Sequence, residues 1–80
     1  MAAGNWSSWT DNVWNCIVLM NINVGETFTL AQIYQSKPLL EQIYPDNHHI
    51  EAKIRQQLQI IKDFGKLEFV TNNGIYRRIK

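Results

Sequence analysis

The chain has 80 residues, 45% hydrophobic and 19% charged, which is room for one core close to the lower size limit and excludes two independent cores within it. Three residues each of Trp, Tyr and Phe exclude wholesale disorder, because they supply the apolar surface that offsets chain entropy. One cysteine excludes an internal disulfide framework, no apolar run reaches the ~18 residues of a membrane span, and the net charge of +1 on its own argues against a nucleic-acid partner.

The Met1–Gly4 start lacks a basic segment followed by an apolar stretch, so no signal peptide is expected. Residues 1–9 read as an irregular arm, polar apart from Trp6 and Trp9, and residues 10–80 as the folded domain. The two tryptophans either pack on the first helix or reach a ligand. Thr10 is suited to cap that helix, with Asp11 favourable in its first turn. Val13, Cys16, Ile17 and Met20 recur at helical spacing, and the helix should end near Asn21 to Asn23. Gly25 marks a turn, and Glu26 to Phe28 reads as a short extended piece. Thr29 is the expected cap of a second helix, with Leu30, Ile33 and Tyr34 inward. Pro38 interrupts it, and Leu39, Leu40, Ile43 and Tyr44 form another stripe that Pro45 closes.

The longest helical pattern follows. Asn47 is the expected cap, Ile50, Ile54, Leu58 and Ile61 form one face, and Gly65 stops the helix. The period then changes to that of strands. Leu67 to Val70 and Ile75 to Arg78 flank Thr71-Asn72-Asn73-Gly74, a hairpin signature. Pairing Phe69 with Tyr76 would set Glu68 opposite Arg77. Helices, a short strand, a long helix and a C-terminal hairpin, in that order, predict an α+β winged helix-turn-helix.

Charge is divided unevenly along this plan. Residues 1–52 carry one base against five acids, and residues 53–80 carry seven bases against two acids, giving −4 and +5. The division fits either one basic surface or a set of solvated helix faces. On the long helix, the side opposite the isoleucine stripe carries His49, Ala52, Gln56, Gln59 and Asp63, with His48, Lys53 and Arg55 on the flanks. An ordinary solvated face is more often rich in Glu and Lys. Amide side chains can pair with adenine edges in the major groove, arginine with guanine, and alanine permits close approach or contact with a methyl group. The pattern therefore fits a DNA-reading face, with a plain exposed face as the alternative. Arg77, Arg78 and Lys80 beside the hairpin turn fit a wing over phosphates, or a charged edge that resists pairing with other chains.

Phe28-Thr29-Leu30-Ala31-Gln32-Ile33-Tyr34, Tyr44-Pro45-Asp46-Asn47-His48-His49-Ile50 and Lys53-Ile54-Arg55-Gln56-Gln57-Leu58-Gln59 carry a resemblance, continued by Asp63 to Val70 and Gly74 to Arg77. The chain resembles the C-terminal winged-helix domain of Dpn-type (Dam-replacing family), methyladenine-directed restriction endonucleases, over about Trp9 to Arg78. The resemblance implies a bacterial, cytoplasmic reader of duplex DNA at a G-A-T-C palindrome whose adenine carries an N6-methyl group. It implies an upstream nuclease domain as intramolecular partner. Mg²⁺ would serve only that domain, and this chain, an isolated domain or fragment, would need no cofactor and no membrane. A methyladenine reader needs polar groups for N6 and N7 plus a small apolar pocket for the methyl. Asn47, His48, His49, Ala52 and Gln56 are the residues expected at bases or the methyl. Lys53, Arg55, Gln59, Arg77 and Arg78 are those expected at phosphates. The alternative is a winged helix that mediates protein contacts or dimerisation, or that reads an unmethylated site.

Three apparent catalytic or metal signatures fail on geometry. Pro45-Asp46 with Glu51-Ala52-Lys53 resembles a nuclease motif, but Glu51 and Lys53 lie about 200° apart on a helix and cannot converge on one metal. His48 and His49 point about 100° apart and lack partner ligands. Cys16 falls within an apolar stripe, where a thiol is inert. No catalytic and no metal-ligating residue is expected.

Overall fold

The computed structural model describes residues 5–71 and 74–80. The expected turn residues Asn72 and Asn73 lie outside the described residues. Those described form, in order, α1 (Ser8–Leu19), β1 (Thr27–Thr29), α2 (Leu30–Tyr34), α3 (Lys37–Ile43), α4 (Ile50–Asp63), β2 (Leu67–Thr71) and β3 (Ile75–Arg78). The strands make an antiparallel sheet in the order β1-β3-β2. This is a winged helix-turn-helix: α3 and α4 form the motif, and β2 with β3 forms the wing.

Local chemistry explains most boundaries. Ser7, rather than Thr10, caps α1: its hydroxyl accepts from Thr10 N at 3.3 Å, and Thr10 Oγ1 accepts from Ser7 N at 3.2 Å. Two hydroxyls three residues apart make a reciprocal box, so the helix starts three residues earlier than a Thr10 cap predicts. Trp9 is thereby drawn into the helix. Its end also comes early, at Leu19, and Asn21 then turns with a positive φ of 61°. Thr29 caps α2 as expected and forms its own box with Gln32.

At α4 the expectation of an Asn47 cap is overturned. His49 holds the cap position without a side-chain hydrogen bond, while Asn47 Oδ1 accepts from His49 N at 2.7 Å. Asparagine here closes a turn two residues ahead, a competing use of the same short side chain. In α3, Leu40 is fully buried, whereas Leu39 and Ile43 are 42% and 44% exposed. A seven-residue helix lying against its neighbours along one line buries only part of the stripe the sequence suggests.

The core gathers Val13, Cys16 and Ile17 of α1, Phe28, Ile33, Leu40, the Ile50, Ile54, Leu58 and Ile61 stripe of α4, and Leu67 and Tyr76 of the sheet. Burial pushes the Cys16 thiol pKa up, the weaker Ser36 hydrogen bond opposing it, which suits an inert core residue. Between α1 and α4 lies one buried polar contact: Thr10 Oγ1 donates to Gln57 Oε1 at 2.7 Å.

The wing register is the expected one, Phe69 opposite Tyr76 and Glu68 opposite Arg77, with a bulge between Phe69 and Thr71. Gly74, which leads into β3, is joined to the start of α2, because Leu30 N donates to Gly74 O at 2.9 Å. Gly74 has φ +78°, and a Cβ there would lie 2.9 Å from Leu30 Cδ1. Gly25 has a comparable φ of +90° in open space. Both Gly→Ala changes should incur the ~1–2 kcal/mol of a left-handed L-residue. Gly74→Ala should lose measurably more in urea unfolding, since Leu30 must also move. Equal losses would show that Gly74 is not held by this contact.

Candidate nucleic-acid interface

The turn between α3 and α4 and the first turns of α4 enclose an open concavity of about 580 Å³. Asn47, His48, His49, Ala52 and Gln56, all five residues expected at bases, line it together with Asp46 and Lys53. A second hollow, of about 280 Å³, lies across the ridge made by His48, His49 and Ala52, and Arg55 lines its far side. The N-terminal end of α4 is thus an exposed ridge of small and imidazole side chains, with Lys53 on one flank and Arg55 on the other. A ridge of that kind at the start of a recognition helix is what enters a major groove.

Each flanking cation is held by an aromatic residue from another element. Lys53 Nζ lies 5.7 Å from the centroid of the Trp9 ring. Arg55 Nη1 donates to the Tyr34 hydroxyl at 2.9 Å, and that bond is the main reason its pKa rises above its ordinary value. Lys37 pairs with Glu51 at 3.6 Å, both side chains well exposed. Gln59, one turn beyond Gln56, donates to Asp63 Oδ1 at 3.1 Å. Such surface contacts orient side chains more than they stabilise the fold.

The wing arginines are placed differently from those on α4. Arg77 Nη1 meets Glu68 Oε1 at 2.7 Å across the hairpin, both side chains nearly half exposed. Arg78 turns towards α1: Nη1 donates to Ile22 O at 2.7 Å, Nε to Lys80 O at 3.1 Å, and its guanidinium lies 5.1 Å from the Trp14 ring centroid. Lys66 lies 5.3 Å from the same ring and 5.9 Å from that of Trp6. Lys62 lies 5.0 Å from the Phe69 ring. Much of the positive charge of the C-terminal segment is therefore gathered at the base of the wing, around aromatic rings, and not beside the α4 ridge.

Trp6 packs edge-on against Trp14 and Phe64, with centroids 6.3 and 5.5 Å away, and Trp9 stacks flat on Tyr44 at 3.8 Å. Trp6 thus packs on the first helix, at Trp14, whereas Trp9 belongs to that helix and stacks on Tyr44 after α3. Sequence reasoning missed the partners Trp9, Tyr34 and Tyr44. It also missed Gln57, although that position is three residues after Ile54 and four before Ile61 and so falls within the buried stripe.

The nuclease-like residues do not converge. Glu51 is turned to Lys37 and Lys53 to Trp9, and among the described residues no cluster of His, Cys, Asp or Glu could hold a metal ion. No helix among them is long and apolar enough to cross a membrane. The arrangement offers hydrogen-bonding edges, an alanine-floored hollow and two positioned cations, the chemistry of groove binding. A family model described as the Dam-replacing HTH domain matches residues 5–78, a span that takes in the ridge and both wing strands of this chain. This chain belongs to the Dam-replacing HTH domain family and is a helix-turn-helix DNA-binding domain.

Proposed function

We propose that the domain reads N6-methyladenine in a GATC-type duplex site, inserting the N-terminal ridge of α4 into the major groove. The observation that carries this reading is the gathering of Asn47, His48, His49, Ala52 and Gln56 around one open concavity. N6-methyladenine keeps one N6–H donor and the N7 acceptor and adds a methyl. Gln56 and the imidazoles can meet the polar edge, and the small Ala52 leaves room for the methyl. Lys53, Arg55 and Gln59 are the phosphate contacts from α4, and Arg77 is the wing's, once exchanged from Glu68. Arg78 is the second phosphate contact of the wing: its bonds to Ile22 O and Lys80 O use Nη1 and Nε, and the guanidinium has further donors.

The charge around the ridge supports a reader that relies on base contacts. Lys53 shares its hollow with Asp46, Arg55 shares its own with Glu51, and Lys37 is offset by Glu51. Attraction to the backbone is modest there, so edge and methyl contacts supply the discrimination. The domain would serve an upstream, Mg²⁺-dependent nuclease domain in a bacterial, cytoplasmic restriction endonuclease, with no cofactor of its own.

Titration against fully methylated, hemimethylated and unmethylated GATC duplexes tests the proposal. Methylated duplexes should bind tightest, and log affinity should fall with log salt at a slope of about −3 to −5, as three to five phosphate contacts require. Equal affinities for the three duplexes would overturn the methyl reading, and a flat salt response would overturn backbone contact.

A further inference from the structure

Tyr44 stands where α3 gives way to the turn that carries Asn47, His48 and His49. Its ring lies on the Trp9 indole with centroids 3.8 Å apart and planes 8° from parallel. Its hydroxyl accepts from Asn12 Nδ2 at 2.8 Å, and its carbonyl accepts from Asn47 N at 3.1 Å. Asn47 in turn accepts from His49 N at 2.7 Å. A continuous path of stacking and hydrogen bonds thus runs from α1 to His49, the cap residue of α4. It matters because α4 has no side-chain cap of its own, so the turn before it decides how the ridge is presented. The same indole has the Lys53 ammonium 5.7 Å from its centroid.

We infer that Trp9 and Tyr44 are positioning residues for DNA reading: α1, away from the bases, sets where the His48–His49 ridge and the Lys53 ammonium stand. The inference rests on the proposed reading by α4 and deepens it. A free lysine side chain must be ordered before it can meet a phosphate, and a cation already placed over an indole loses less freedom in doing so. The stacked ring of Tyr44 does the same for the turn. Its roll angle relative to α1 is fixed by the parallel ring planes, and its slide by the bond from Asn12.

The test uses Trp9→Leu, Trp9→Phe, Tyr44→Phe and Lys53→Gln, each first melted to confirm folding and then titrated across salt against methylated and unmethylated GATC duplexes. Lys53→Gln should make the log–log salt slope shallower by about 0.9, the share of one phosphate contact. Trp9→Leu should keep the slope, since Lys53 still carries its charge, but weaken binding to both duplexes several-fold; added to Lys53→Gln it should weaken binding no further, and Trp9→Phe, which keeps a ring, should lose much less. Tyr44→Phe removes only the acceptor for Asn12. It should keep the slope while lowering the methylated-to-unmethylated affinity ratio several-fold.

A folded Trp9→Leu variant with wild-type affinity, while Lys53→Gln weakens binding and loses its share of the slope, would overturn the positioning role and leave the reading by α4 standing. A Lys53→Gln slope equal to wild type would overturn both. If Trp9→Leu does not fold, Tyr44→Phe decides, and an unchanged affinity ratio there would overturn the inference.

Discussion

Leu58→Ala is expected to lower the unfolding free energy by about 2–5 kcal/mol, whereas Gln56→Ala and Gln59→Ala on the same helix should stay within about 0.5 kcal/mol of wild type. Leu58 is fully buried in the core, so truncation loses its transfer energy and leaves a cavity. For 80 residues the total stability is on the order of 4–12 kcal/mol, and the loss is a large part of it. The melting temperature should fall by roughly 10–30 °C. DNA binding should show the reverse order. Gln56 lines the concavity and is exposed, so Gln56→Ala should weaken the methylated complex by about 1–3 kcal/mol while leaving the fold intact. Thermal melts and duplex titrations on the three variants separate the two faces of α4. Loss of both properties in Gln56→Ala would mean that its side chain supports the fold.

The second large effect is expected at the one buried polar contact between α1 and α4. Thr10→Val keeps the shape but removes the donor to Gln57 Oε1, leaving that oxygen in the core without the partner it now has at 2.7 Å. An unsatisfied buried acceptor costs about 1–3 kcal/mol. The same hydroxyl accepts from Ser7 N, so the reciprocal cap of α1 is weakened as well. Thr10→Ser, which keeps the oxygen, should lose much less. Gln57→Leu alone should also destabilise, but the Thr10→Val/Gln57→Leu pair should cost less than its two parts together, since replacing both partners removes the need for the bond. Additive losses in urea unfolding would show that the two groups act independently. The contact sets how α1 lies across the recognition helix, so Thr10→Val should also reduce DNA affinity.

Both predictions concern residues whose legibility in the sequence differs. Leu58 announces itself, because an isoleucine–leucine stripe at helical spacing has no other economical place than a core. Gln57 sits in the same stripe but carries an amide, and an amide in the middle of a helix reads as surface until its partner is known. That partner, Thr10, is 47 positions away. The hydroxyl pair Ser7 and Thr10 shows the same limit on a shorter scale. Thr10 reads as the cap of α1, but in the fold its hydroxyl donates to Gln57 of α4 and Ser7 holds the cap position.

The sequence by itself determined the order of elements, the α4 core stripe, the Thr29 cap, the register of the wing and the face of α4 that carries the ridge. These follow from short-range rules: helical and strand periods, capping chemistry, and turn-forming residues. Only the tertiary structure decided what the charges do. The small net charge of +1 conceals segments of −4 and +5, but most of the positive segment does not stand beside the ridge. Arg78 is bound to Ile22, Lys66 lies over Trp6 and Trp14, and Arg77 faces Glu68, while from that segment Lys53 and Arg55 flank the ridge. A long cationic side chain takes the nearest aromatic face, carbonyl or carboxylate that folding brings within reach, and that choice has no period along the chain.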